Sequence, residues 1–138
     1  MNNLILKRSQ LIEAQLTGTG LNTKSYFQQI PNLSRNNIKV YGIEVYTATQ
    51  LAKSVSNATV LPASALPSLT VTLVDKNGQF PIQDLPVYNL VRSLNSGFVT
   101  LLANFEMNLT ACYINNVDTA NLITGQVLLF NLYYSLIQ

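Results

Sequence analysis

The chain has 138 residues and a formal net charge of +2, and only 10% of its residues are charged, against roughly 25% in a typical soluble domain. Because 48% of the residues are hydrophobic, the chain can build one core and is not expected to be disordered. The absence of histidine and the single cysteine exclude Ser-His and Cys-His nucleophile pairs, a Cys/His zinc site and an internal disulfide.

The N-terminal residues 1–21 allow more than one interpretation. Two apolar clusters, Leu4 to Leu6 and Leu11-Ile12, precede a Thr-Gly-Thr-Gly break. The spacing partly fits a helix, and it equally fits a strand or an arm that pairs with a neighbour. We therefore predict an N-terminal arm or extra strand over 1–21 and a single β-sandwich domain over 22–138.

Neither a targeting signal nor a nucleic-acid-binding face is expected. Lys7-Arg8 directly follows Leu4-Ile5-Leu6, which leaves too short an apolar run for a signal peptide. No run approaches the roughly 20 apolar residues of a membrane helix. The six basic residues of 1–53 are scattered, whereas nucleic-acid binders concentrate them on one face or arm. We expect no transmembrane segment and no specific nucleic-acid binding.

Two strand candidates come next. Tyr26 to Ile30 ends at the turn signal Pro31-Asn32. Ile38 to Thr47 is rich in β-branched and aromatic residues, but its apolar residues change parity at Gly42. This change predicts a bulge or sharp bend near Tyr41-Gly42; the alternative is a strand buried on both faces.

The middle of the chain predicts a long connection and then a hairpin. Residues 51–68 have no sustained period, and loops beyond about 12–15 residues are usually functional or make contacts. Leu69 to Leu73 alternates apolar residues with threonine and predicts a strand. Asp75 to Gly78 reads Asp-Lys-Asn-Gly and predicts a turn with the glycine in the left-handed conformation. The returning segment, Phe80 to Val91, contains two prolines and is therefore placed at an edge or bent.

Two long rows of alternating apolar residues occupy the last third of the chain. After the turn signal Asn95-Ser96-Gly97, one parity is apolar from Val99 to Tyr113. That row is too long for an ordinary strand and predicts one curved strand, or two strands joined without a phase slip. Asn115 to Asp118 reads as a turn. The final segment, Gly125 to Ile137, has an unbroken apolar parity and predicts a long strand in the middle of a sheet.

These elements predict an all-β fold. Seven to nine strands with turn signals between them, and no convincing helical stretch longer than ten residues, point to an antiparallel β-sandwich or a barrel. Long strands with wandering connections favour a single jelly roll over a tight up-and-down barrel.

No catalytic, cofactor-binding or metal-ligating residue is predicted, and we expect no enzyme. A two-carboxylate hydrolase or a calcium site would have to use the acidic residues. Turn sequences and strand parity instead predict that all six lie on the surface or in turns. They are Glu13, Glu44, Asp75, Asp84, Glu106 and Asp118. Cys112 has no cation beside it in sequence and is expected to pack as a small apolar group.

The chain combines low charge, sixteen asparagines and a predicted C-terminal strand. The segments that show this combination are Asn36 to Tyr46, Leu69 to Asp75 and Gly125 to Tyr134. In these segments the chain resembles the single jelly-roll minor capsid or penton proteins of tailless icosahedral bacteriophages. The resemblance implies a structural subunit that forms a homo-oligomer around a symmetry axis and contacts a major capsid protein. It also implies a location in the virion, with synthesis in the host cytoplasm.

Other interpretations stay open. A surface with few charges fits coverage by neighbouring subunits, but it also fits a monomer with an uncharged exterior. The alternative function is a spike or a receptor- or carbohydrate-binding β-sandwich module, with exposed aromatic residues clustered at one end. An enzyme would require carboxylates such as Asp84 and Glu106 to converge in a cleft.

Overall fold

The computed structural model describes residues 5–28, 38–46, 60–91 and 100–137. This part of the chain forms eight β-strands and three short 3-10 segments, the latter at Ala63–Ser68, Val87–Leu90 and Leu109–Ala111. The strands are β1 (Ile5–Gln15), β2 (Lys24–Tyr26), β3 (Ile38–Tyr46), β4 (Leu69–Leu73), β5 (Ile82–Pro86), β6 (Thr100–Glu106), β7 (Tyr113–Asn116) and β8 (Val127–Ile137). Among the residues described, no helix has the length and apolar character needed to cross a membrane.

The strands are arranged in two antiparallel sheets of four. Sheet A has the order β1-β8-β3-β6, and sheet B has the order β2-β7-β4-β5. One hydrophobic cluster takes side chains from both sheets, so the sheets pack face to face. The predicted all-β antiparallel sandwich of seven to nine strands is confirmed.

The strand pairs are nested. β1 pairs with β8, β2 with β7, β3 with β6 and β4 with β5. The chain is therefore arranged as one long hairpin, closed at the β4–β5 turn, that has been folded over into two layers. This order differs from that of an up-and-down barrel, which pairs each strand with the next.

β8 lies in the centre of sheet A, as its alternating pattern predicts. It pairs with β1 along eleven residues on one side and with β3 on the other. Leu128, Phe130 and Leu132 are fully buried between the sheets, and the Phe130 ring centroid lies 4.8 Å from that of Phe27. β1 is therefore a strand of sheet A, while the division of the chain at residue 21 stays a prediction.

The predicted bulge in β3 is present. Against β8, Val40 pairs with Tyr134 and Gly42 with Tyr133, which leaves Tyr41 as the extra residue of β3. The register against β6 shifts at the same place, but there the extra residues lie on β6, between Leu101 and Phe105. Residues 42–45 are all buried, so the alternative interpretation, burial on both faces, also holds beyond the bulge.

The structure corrects two strand predictions. The apolar row from Val99 to Tyr113 divides between β6 and β7, in different sheets, and its phase does slip. Cys112 and Ile114 are buried while Tyr113 is only half-buried, because the 3-10 turn ahead of Cys112 rotates the chain. β2 begins at Lys24 rather than at Tyr26. The predicted continuation of that strand to Ile30 and the turn at residues 95–97 lie outside the described residues.

The hairpin and the edge strand are confirmed. Gly78 has a φ of 77°, and Oδ1 of Asp75 accepts hydrogen bonds from the backbone N–H groups of Asn77 and Gln79, both at 2.9 Å. β5 lies at the edge of sheet B and ends at Pro86, which cannot donate to a ladder.

Replacing Gly78 with alanine should lower the free energy of unfolding by about 1 kcal/mol, because a Cβ disfavours the left-handed conformation. The added Cβ would meet no heavy atom within 4 Å, so the cost comes from the backbone alone. Gly20→Ala is the control, since its Cβ would meet only Thr23 Oγ1, at 3.7 Å, and no left-handed φ is required there. Urea unfolding of both variants measures the difference, and equal stabilities would contradict the interpretation.

Candidate functional site

Three connections lie together at one end of the sandwich, and we call this surface the loop end. It consists of residues 16–23 between β1 and β2, residues 61–68 ahead of β4, and residues 117–126 between β7 and β8. The β4–β5 turn lies at the opposite end, because β4 runs away from residues 61–68.

Hydrogen bonds hold the loop end together. The fully buried Asn116 donates from Nδ2 to the carbonyl oxygens of Gly18 and Gly20, both at 3.0 Å. The Ser68 hydroxyl donates to the carbonyl of Ala120 at 2.8 Å. Sequence analysis placed Asn116 in a turn and did not identify this role, because the role depends on contacts between residues almost a hundred positions apart. The three connections therefore present a surface that is ordered before any partner binds.

The loop end is nearly uncharged and carries exposed apolar side chains. Asp118 is the one charged residue in its three segments, and its carboxylate accepts a hydrogen bond from the N–H of Thr119 at 2.6 Å. Leu21, Val117 and Ile123 are 62%, 47% and 60% exposed. A surface of this kind loses little solvation when another protein covers it. It is a candidate contact surface.

A second candidate site lies where β1 of sheet A meets the chain that follows β2 of sheet B. Ala14 and Phe27 form an antiparallel bridge, and the N–H of Gln28 donates to the carbonyl of Glu13 at 2.7 Å. This pairing places Glu13 opposite Gln28, and Gln15 opposite Tyr26, on one face. All four residues are exposed. They did not stand out in the sequence, because only the long-range pairing brings them together.

Together with Thr17, these four side chains line an open cavity of about 490 Å³, which we call the seam pocket. The Tyr26 ring stands edge-on against the Tyr113 ring, with centroids 5.6 Å apart and planes at 60°. The Lys24 ammonium lies 4.7 Å from the Tyr113 centroid. Tyr26 is thus supported from one side while 54% of it remains exposed, which leaves a ring surface for a ligand.

Glu44 is completely buried, so the prediction that all six acidic residues lie on the surface or in turns is wrong for this one. Its Oε1 accepts hydrogen bonds from Tyr133 Oη at 2.7 Å and from Asn131 Nδ2 at 3.3 Å. Asn131 is its direct partner in the register of β3 and β8. Glu44 alternates with Ile43 and Val45 and therefore lies on the opposite face of β3, but a strand pattern does not reveal what covers that face.

The outer face of sheet A around Glu44 is also partly apolar. Val127 and Leu129 of β8 are buried there together with Val60, and Leu11 and Tyr46 pack against them. Glu44 and Asn131 are buried and Tyr133 is half-buried, and the three form a polar cluster in which Oε1 of Glu44 is the shared acceptor. Its hydrogen bonds join β3 to β8 within sheet A.

Three other acidic residues lie on the surface or in a turn, exposed or half-buried. Asp75 binds backbone N–H groups in its turn, as predicted, and Asp84 is exposed on β5. Glu106 lines an open cavity of about 370 Å³ with Asp75 and with two basic residues, Lys39 and Lys76, so positive and negative charges balance there. Within the described ranges, no group of three or more His, Cys, Asp or Glu residues could hold a metal ion.

Cys112 packs in the core, as predicted. It is fully buried; its Sγ accepts a hydrogen bond from the N–H of Val74 and donates to the carbonyl of Asn108, both at 3.3 Å. Burial disfavours the thiolate and raises the pKa of Cys112 from 9.0 to about 12, although the hydrogen bond from Val74 lowers it in part. The thiol is thus neutral and unreactive near neutral pH.

Comparison with known proteins finds no match among family models, curated proteins or solved structures. The identity as a virion subunit, the location in the virus particle and the lack of enzymatic activity therefore stay predictions. Function has to be inferred from the loop end and the seam pocket.

Glu44→Ala should lower the free energy of unfolding by about 1–3 kcal/mol, because the Tyr133 hydroxyl and the Asn131 amide lose a buried acceptor. Tyr133→Phe should cost less, and the double variant should cost less than the sum of the two. Glu13→Ala is the matched control, because that side chain is exposed and should change stability by under about 0.5 kcal/mol. Urea unfolding measures all four variants, and additive effects would show that the Glu44–Tyr133 contact does not stabilise the fold.

The buried thiol should make the protein less stable at alkaline pH. The unfolded chain loses the Cys112 proton near its ordinary pKa of 9.0, whereas the folded chain keeps it up to about 12. Stability is therefore fully present below pH 9 and falls as the pH rises towards 12, by at most about 1.4 kcal/mol per pH unit. Cys112→Ser should flatten the fall in unfolding free energy between pH 9 and 11, measured against wild type in urea. Parallel curves would contradict the prediction.

Proposed function

We propose that this chain is a structural subunit of a virus particle. In this proposal it is a single jelly-roll protein of minor-capsid or penton type, which forms a homo-oligomer and contacts a major capsid protein. The nested strand pairing supports the jelly-roll assignment. The observation that carries the assembly role is the nearly uncharged loop end with its exposed aliphatic side chains.

The low charge of the chain favours contacts between identical copies. In a cyclic oligomer the same surface of every subunit is brought towards one axis, so any charge on that surface meets its own copies. The loop end holds only Asp118, and it presents Leu21, Val117 and Ile123 to solvent. Fully burying a side chain of this size stabilises an association by about 1.5–3 kcal/mol. A ring with the loop ends at its axis therefore gains apolar burial at little electrostatic cost.

Assembly through strand addition is disfavoured at one sheet edge. β5 at the edge of sheet B is flanked by Pro81 and ends at Pro86, and Asp84 within it has a φ of 50°. Prolines and an irregular backbone prevent a second strand from pairing there. This favours subunit contacts that are made by loops, and it disfavours contacts in which the sheets of two subunits join into one.

The proposal predicts that the purified protein sediments as a closed oligomer. Leu21→Asp combined with Ile123→Asp should shift it to monomer, because each subunit would bring two carboxylates to the contact. Both side chains are exposed, so the thermal midpoint of the monomer should hardly change. Sedimentation velocity and negative-stain microscopy measure the assembly.

Phe80→Asp is the matched control for this experiment. Phe80 is 50% exposed but lies at the β4–β5 turn, at the opposite end of the sandwich, so the oligomer should persist. A wild-type protein that remains monomeric at high concentration would overturn the proposal. So would a loop-end variant that assembles as wild type does.

A further inference from the structure

The seam pocket combines an exposed aromatic ring with polar side chains of several kinds. The ring is that of Tyr26, and the polar groups are the Glu13 carboxylate, the amides of Gln15 and Gln28, and the Thr17 hydroxyl. The loop end, which the proposed subunit contact would use, shares only Thr17 with the seam pocket. The subunit contact therefore does not explain why these aromatic and polar side chains lie together in the pocket.

The polar groups keep much of their hydrogen-bonding capacity free. Gln15 donates from Nε2 to the carbonyl of Gly125 at 3.2 Å, which leaves its Oε1 as an acceptor. Gln28 accepts at Oε1 from the N–H of Glu13 at 3.4 Å, which leaves its Nε2 as a donor. The Glu13 carboxylate makes no hydrogen bond or ion pair within the described residues. A ligand here would meet acceptors and donors side by side.

We propose that the seam pocket binds a neutral saccharide. The faces of a pyranose ring carry C–H groups that pack on an aromatic ring such as Tyr26. Its adjacent hydroxyls both donate and accept, which suits Glu13 and Gln15 as acceptors and Gln28 as a donor. Cross-strand side chains stand about 4.5–5.5 Å apart at Cβ, so Glu13 and Gln28 can engage neighbouring hydroxyls of one sugar.

Charge and size agree with such a ligand. Glu13 is the one charged side chain among the described residues that line the pocket, and its carboxylate would repel an acidic sugar. The cavity of about 490 Å³ falls within the roughly 300–1,000 Å³ of small-ligand sites. Because the pocket is open and shallow, a single site binds weakly, and several copies in one assembly would bind a glycan-covered surface by avidity. The inference itself does not depend on assembly.

The test uses the full-length, isotope-labelled chain, titrated with the methyl glycosides of glucose, galactose, mannose and N-acetylglucosamine and followed by NMR. At least one glycoside should cause saturable shifts centred on residues 13–17 and 24–28. Tyr26→Ala should weaken binding at least about tenfold, which corresponds to 1.4 kcal/mol. Tyr26→Phe keeps the ring and should retain most of the affinity. Glu13→Gln is a second variant, which keeps the size of this exposed side chain and replaces its carboxylate with an amide.

Tyr88→Ala is the control, because Tyr88 is a comparably exposed tyrosine, at 44%, that does not line the pocket. Its affinity should equal that of wild type. An array of immobilised neutral oligosaccharides distinguishes a site for one sugar ring from a site for a longer glycan. Binding to both the methyl glycosides and the array indicates a single-ring site. Binding to the array alone indicates that the ligand is a longer surface glycan. No saturable binding to either would overturn the proposal. Stronger binding of N-acetylneuraminic acid, or an equal loss with Tyr88→Ala, would also overturn it.

Discussion

The pairing of β1 with β8 is the constraint on which the rest of the structure depends. Eleven residues of one strand lie antiparallel to eleven of the other, from Ile5 opposite Ile137 to Gln15 opposite Val127. With these strands joined, the remaining pairs nest inside them and the chain divides into two layers. The same pairing carries residues 16–23 and 117–126 to one end, where they form the loop end. It also brings β1 alongside Phe27, which creates the seam pocket.

Local signals in the sequence are enough for features that depend on one residue's own backbone or on strand period. Gly42 marks the bulge, Gly78 the left-handed turn and Pro86 the edge strand, and the alternation from Leu128 to Tyr134 identifies the central strand. The burial of Glu44 could not be foreseen in this way, because it depends on what covers the outer face of sheet A. The phase slip before Cys112 arises from a single 3-10 turn, which leaves no period to detect. The seam pocket could not be predicted from the sequence for a similar reason, since Glu13 and Gln28 become neighbours only through the long-range bridge between Ala14 and Phe27.

Two kinds of polar group serve different purposes in this molecule. Asn116 and Glu44 are buried, and their hydrogen bonds order loops and strands that would otherwise be free to shift. Glu13 and Gln28 are exposed and keep unused hydrogen-bonding capacity. The proposed assembly surface presents Leu21, Val117 and Ile123 beside exposed threonine, serine and asparagine side chains. The chain thus separates the residues that hold it together, those proposed to meet its own copies, and those proposed to meet a ligand.

The nested order also has a consequence for synthesis. Among the described strands the ribosome makes β1 first and its partner β8 last, so the β1–β8 ladder cannot form until β8 has been translated. Contacts between such distant residues are slow to form, and an unpaired strand is prone to pair with the wrong chain. The low-charge surface does little to discourage such encounters. Nascent chains therefore need shielding until translation has passed β8, and the ordered loops on which assembly would draw can form only after that point.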